Sequence, residues 1–193
     1  MFAISGARPG LVRSLGVRGM SRNGRAACDP GLSGLREQSR GEEFANTLSH
    51  GIGLFAAAAA VPTLFAGSVS TNPKAVVGNA IFSTTLLLLY LVSALYHALP
   101  PGRSKHICRL LDHQAIFLVI AGTYTPFTLG VLWGPWGWML LGVIWSAALA
   151  GITLKAAVGL RHPGVSMALY LGMGWLVLVA VEPLSQGMPA AGL

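Results

Sequence analysis

The run Leu86-Leu87-Leu88-Leu89-Tyr90-Leu91-Val92 is the centre of one of five apolar blocks, and these blocks decide the fold class. They cover about 50–67, 75–97, 111–132, 137–154 and 165–181. Each is close to the roughly 20 residues that cross a 30 Å hydrocarbon layer as a helix. The apolar residues fill whole blocks, where a surface helix would show a stripe. A single span in lipid must satisfy its own backbone hydrogen bonds, so the blocks predict helices. The alternating pattern of a barrel strand is absent. Composition agrees: 53% of the chain is apolar and 10% charged, where a soluble domain carries about 25% charge. The expected fold is all-α, a multi-pass transmembrane bundle.

The connections are short. Residues 68–74 join the first two blocks, Pro100-Pro101-Gly102 opens the next turn, and Trp133-Gly134-Pro135-Trp136 joins the third and fourth. Tryptophans in such a turn suit a membrane interface. No long linker follows residue 43, so 43–193 reads as one transmembrane domain. Residues 1–42 differ in kind, being rich in Arg, Gly and Ser. They lack the apolar h-region of a secretory signal and superficially resemble a transit peptide. They read as a disordered tail or an upstream extension, with Met20 as a later start.

Charge sets the orientation. Arg8, Arg13, Arg18, Arg22, Arg25, Arg36 and Arg40 precede the first block. Arg103, Lys105 and Arg109 follow the second, and Lys155 and Arg161 follow the fourth. The opposite loops carry only Lys74. Three segments therefore agree on a cytoplasmic N-terminus. The formal charge of +7 reads as topology, and nucleic-acid binding is not expected, because the basic residues are dispersed without an aromatic platform. Cys28 and Cys108 fall on the cytoplasmic side, where a disulfide is not expected, and neither has zinc spacing.

The few polar residues of the blocks converge on that side. Glu43, Asn46 and His50 are spaced i, i+3, i+7 and share one helix face. Ser93 and His97 are spaced i, i+4. Asp112 opens the third block, with His113 turned about 100° from it. Each has an ordinary reading: a carboxylate at a helix start, a serine bonded back to its own helix, an interfacial histidine. Their shared leaflet points instead to a metal or proton-transfer site, since ionisable groups at membrane depth are costly. Thr123, Thr125 and Pro126 sit mid-block, where the proline should kink the helix and the hydroxyls serve the freed carbonyls. His106 and His162 read as loop residues, and Glu182 lies at the outer end of the fifth block.

These stretches carry a family resemblance. Glu42-Glu43-Phe44-Ala45-Asn46-Thr47-Leu48-Ser49-His50-Gly51, Ser93-Ala94-Leu95-Tyr96-His97, Leu111-Asp112-His113, Gly122-Thr123-Tyr124-Thr125-Pro126-Phe127 and Met173-Gly174-Trp175 resemble the hemolysin III family, within the progestin and adipoQ receptor superfamily. The resemblance implies a seven-helix membrane fold, of which about five spans are present, in a bacterial inner membrane. It also implies zinc. His97 matches a ligand on the second helix, Asp112 the aspartate that contacts the zinc-bound water, and Ser93 the serine one turn before the histidine. Glu43, Asn46 and His50 match a first-helix motif of less defined role. The family's paired histidines on its last helix have no counterpart before Leu193, so this chain is expected to hold zinc poorly.

Three function classes follow. One is a zinc-dependent hydrolase of lipid amides, with Asp112 accepting the proton of a zinc-bound water. The second is a non-catalytic receptor or regulator of membrane state. The third is a cytolysin, which the family name implies, although no span carries a polar stripe for a pore. Membrane lipids are the expected partners in all three, and the sequence leaves the oligomeric state open.

Overall fold

A computed structural model describes residues 38–66, 73–132, 134–159 and 162–187. The described residues are helical almost throughout. Helix α1 spans Arg40–Ala66, α2 Pro73–Ala98, α3 Arg103–Pro126, α4 Pro135–Val158, α5 Pro163–Trp175 and α6 Val181–Gly187. A π-helical turn, Phe127–Val131, extends α3, and a 3₁₀ turn, Leu176–Ala180, joins α5 to α6. Five helical stretches are long and apolar enough to cross a membrane: Arg40–Ala66, Pro73–Ala98, Arg103–Val131, Pro135–Val158 and Pro163–Ser185. The multi-pass helical bundle expected from the apolar blocks is therefore what the chain forms. Most of residues 1–42, and Cys28 with them, lie outside the described residues. Cys108 is a free thiol.

Every span is longer than its apolar block, because polar caps and termini add turns. Helix α1 starts well before residue 50, and a capping box explains why. The amide of Glu42 donates to Ser39 Oγ at 3.3 Å, and the Ser39 amide donates back to Glu42 Oε2 at 2.7 Å. Two N-terminal amides are thereby satisfied reciprocally. Glu43 and Asn46 consequently lie within α1. At the far end of α4, Gly159 caps the helix at φ 68°, a left-handed conformation that favours glycine.

Helix α2 packs between α1 and α3, α3 packs on α4, and α5 packs against both α3 and α4. The densest region lies where α3 meets α4, around Phe117, Ala121, Ile144 and Ala148. Small residues allow the close approach. A Cβ at Gly122 would run into the Thr85 side chain, one at Gly151 into the Phe117 ring, and one at Gly78 would sit 2.6 Å from the Pro126 Cα. Small residues at interfaces are how membrane helices gain packing, since apolar burial is available everywhere in lipid. Large apolar side chains face outward, Phe55 being 78% exposed, as a lipid-facing surface requires.

Pro126 interrupts α3 as expected. It lacks an N–H, so the Gly122 carbonyl loses its helical donor. Nearby hydroxyls donate to the adjoining carbonyls: Thr123 to Ile120 at 2.7 Å and Thr125 to Ala121 at 2.9 Å. Beyond the proline the chain widens into the π turn, with the Leu132 amide bonded to the Phe127 carbonyl at 2.8 Å.

Candidate functional site

Three helix ends converge at the face assigned to the cytoplasm: the start of α1, the end of α2 and the start of α3. Glu43 is their junction. His97 on α2 sits with Nδ1 2.7 Å from Glu43 Oε2, and because a carboxylate only accepts, Nδ1–H is the donor. Lys105 on α3 places Nζ 2.9 Å from Glu43 Oε1. The same ammonium donates to the carbonyls of Tyr96 and Leu99, each at 3.1 Å. Its three donors are thus all used, two of them on carbonyls at the end of α2, where a cation is favoured. The Pro100-Pro101-Gly102 turn makes this possible by folding α3 back so that Lys105 returns to the helix it has just left.

Aromatic rings pack around His97. The His50 ring lies parallel to it, with interplanar angle 3° and centroids 5.6 Å apart. Tyr96 packs against His97 at a tilt, with centroids 4.5 Å apart, and Lys105 Nζ lies 4.9 Å from the Tyr96 ring centroid. The His97 side chain is only 8% exposed.

The sequence-predicted residues divide between two neighbourhoods. Glu43, His50 and His97 come together as expected. Asn46 shares their helix but points its amide to Gln38 Oε1 at 3.5 Å. Ser93 is buried in α2, 3% exposed, one turn below His97. Asp112 belongs to a second group between α3 and α5, where its described ion-pair partner is His113, 3.8 Å away. His113 donates through Nδ1 to the Arg109 carbonyl at 2.9 Å. The Tyr170 hydroxyl of α5 donates to the His113 carbonyl at 2.7 Å. Tyr96 lies between the groups, within range of the charges of Glu43, Arg109 and Asp112. Lys105 and Tyr96 are the residues sequence reasoning missed. The charge bias alone accounts for Lys105 in the sequence, although a lysine three residues past a Pro-Pro-Gly turn is well placed to reach back to the preceding helix.

Two other motif stretches meet at mid-depth. The Tyr124 hydroxyl, on α3, lies 2.7 Å from the Met173 carbonyl and 3.0 Å from that of Gly174. Nearby, the Trp145 indole donates to Thr125 Oγ1 at 3.2 Å. These bonds tie the region of the Pro126 kink to α5 and α4.

A family model described as haemolysin-III related matches residues 38–192. The chain belongs to this family. It is 42% identical over 153 residues to the hemolysin-3 homolog of Bacillus subtilis (strain 168), an alignment covering 78% of this chain and 71% of that protein. It is 40% identical over 152 residues to hemolysin-3 of Bacillus cereus, covering 78% and 69% respectively. No solved structure matches the chain. Membership makes this a hemolysin III-like integral membrane protein.

The superfamily resemblance implies zinc, and the donor geometry tests the fit. A catalytic zinc takes about three protein ligands and an open position. Among the described residues no three His, Cys, Asp or Glu side chains gather where one ion could be held. His50 lies in parallel stacking with His97, and two rings so arranged do not converge on one ion. The described residues do not fit a zinc site.

Proposed function

We propose that this chain is a multi-pass protein of the cell membrane that acts without catalysis, as a regulator whose first helix is held by a charge clasp at the cytoplasmic leaflet. The observation that carries this reading is Glu43, gripped by His97 and Lys105 from two other helices. The clasp depends on an ionised carboxylate. Protonating Glu43 removes the charge that holds Lys105 and the acceptor that orients His97, so acid should release α1. Interhelical polar contacts in membranes are worth about 0.6 kcal/mol on average and up to about 1.7, small enough for the state of the clasp to shift the position of α1.

The test is a distance measurement across the clasp. Spin labels at Phe44→Cys and Leu95→Cys, both exposed positions, should give a narrow distribution at neutral pH that broadens in acid. Glu43→Gln should give the broad distribution at both. A distribution unchanged by acid and by Glu43→Gln would defeat the proposal.

A second reading, hydrolysis of a lipid amide with zinc, draws on one feature. A carboxylate behind Nδ1 is how metal-ligating histidines are commonly oriented, and Glu43 stands behind His97 in that way. It requires two further ligands that the described residues do not gather. Stoichiometric zinc in the purified 193-residue chain, lost on His97→Ala, would establish it. The names of the relatives raise cytolysis as a third possibility, for which dye release from liposomes is the direct assay.

A further inference from the structure

The end of α4 holds a buried cation that the clasp does not use. Lys155, in the last turn of α4, is 4% exposed. Its Nζ donates to Ser166 Oγ of α5 at 2.9 Å. That is one described acceptor for three donors. The described ion pairs involve Glu43 and Asp112, with His97, Lys105 and His113, and none reaches Lys155. The charge in range of Lys155 is the like charge of Arg109, whose Nε is itself buried without a hydrogen-bond partner. A buried charge with so few described partners favours a compensating group beside it.

Lys155 lines a cavity of about 50 Å³ together with Leu154, Val158, His162, Val165 and Ser166. One water needs about 10–15 Å³ by this kind of measure, so the space holds a small polyatomic group. The first turn of α5 borders the cavity, and its dipole favours an anion. His162 precedes that turn with no side-chain capping bond. The remaining wall is apolar and open outward, Leu154 being 41% and Val165 47% exposed. By the positive-inside bias the cavity lies at the level of cytoplasmic headgroups. Basic pockets between membrane helices on that side are suited to anionic headgroups.

We infer that this cavity binds a phosphoryl anion, with Lys155 and Ser166 donating to its oxygens and Leu154, Val158 and Val165 accommodating an acyl chain beside it. The phosphoryl group can come from an anionic phospholipid or from free phosphate, and the apolar wall favours the lipid.

The full chain in detergent separates the two sources. In one arm it is titrated with phosphatidylglycerol or phosphatidylcholine, and bound lipid is counted by native mass spectrometry. In the other it is given inorganic phosphate alone, and the thermal midpoint is read. Wild type should prefer phosphatidylglycerol by about five-fold, the equivalent of roughly 1 kcal/mol per lysine near an anionic lipid surface. Lys155→Met should abolish the preference. Val165→Glu, at an exposed wall position, should do the same by supplying a competing carboxylate, and it covers the case in which Lys155→Met fails to fold. Arg103→Ala, an exposed change elsewhere on the same side, should reduce the preference less than Lys155→Met does. If the source is free phosphate, phosphate should raise the midpoint of wild type and not of Lys155→Met. Equal lipid preference in wild type, Lys155→Met and Val165→Glu, with no Lys155-dependent response to phosphate, would overturn the inference.

Discussion

Helix α1 and the α3–α4 pair cross the same bilayer but are held by different forces. In α1 the buried residue is Ala57, while Phe44, Leu48, Ile52 and Phe55 face outward. Helix α3 buries Ala115, Phe117, Ala121, Gly122, Tyr124 and Thr125. Helix α1 attaches through polar points near its two ends. These are Glu43 to His97 and Lys105 at one end, and the Asn79 amide to the Leu64 carbonyl, 2.8 Å, at the other. The centre of the bundle relies on interdigitated small and large residues. Lipid tails are as apolar as leucine, so exposed apolar surface on α1 carries no penalty. The difference teaches that attachment by charge can be altered by a proton, whereas attachment by packing cannot.

Overfilling the packed centre should have the largest effect. Gly78→Val forces side-chain atoms onto the backbone at Pro126, and should cost about 3 kcal/mol in unfolding by denaturing detergent. Gly51→Val on α1, where nothing lies within 4 Å of the added Cβ, should cost nothing measurable, since valine is no worse a helix former than glycine. Equal losses would erase the distinction between the two regions.

Breaking the polar attachment comes next. Lys105→Met removes the donor to Glu43 and to two carbonyls of α2. It should destabilise by about 1–2 kcal/mol, the upper range for polar contacts in membranes. Labelling of Thr47→Cys should then accelerate, while labelling of Ala148→Cys in the centre should not. Acceleration at both sites would mean that the clasp holds the whole bundle.

The smallest effect tests whether polar bonds matter in the packed centre. Trp145→Phe keeps an aromatic ring and removes the indole donor to Thr125. It should cost about 0.6 kcal/mol, the average for such bonds. A much larger loss would show that the centre also depends on polar contacts, and would narrow the contrast with α1.

Much of this was legible in the residues themselves. The apolar blocks determine the number and type of spans, because a chain in lipid has no alternative to internal backbone bonding. The i, i+3, i+7 spacing from Glu43 and the i, i+4 spacing from Ser93 determine which side chains share a face. Pro126 marks the break in α3, since the lost N–H is a property of the residue. The start of α1 was written in Ser39 and Glu42, a capping box outside the apolar pattern.

Pairing between helices was decided only by the tertiary structure. Face and depth place Glu43, His97 and Asp112 at one leaflet, but they do not determine which neighbour each side chain selects. The packing of α3 against α2 brings Lys105 to Glu43. That packing is set by close approach at Gly78 and Gly122. Burial of Lys155 likewise depends on where α5 lies, information held in contacts between distant residues and in no local spacing.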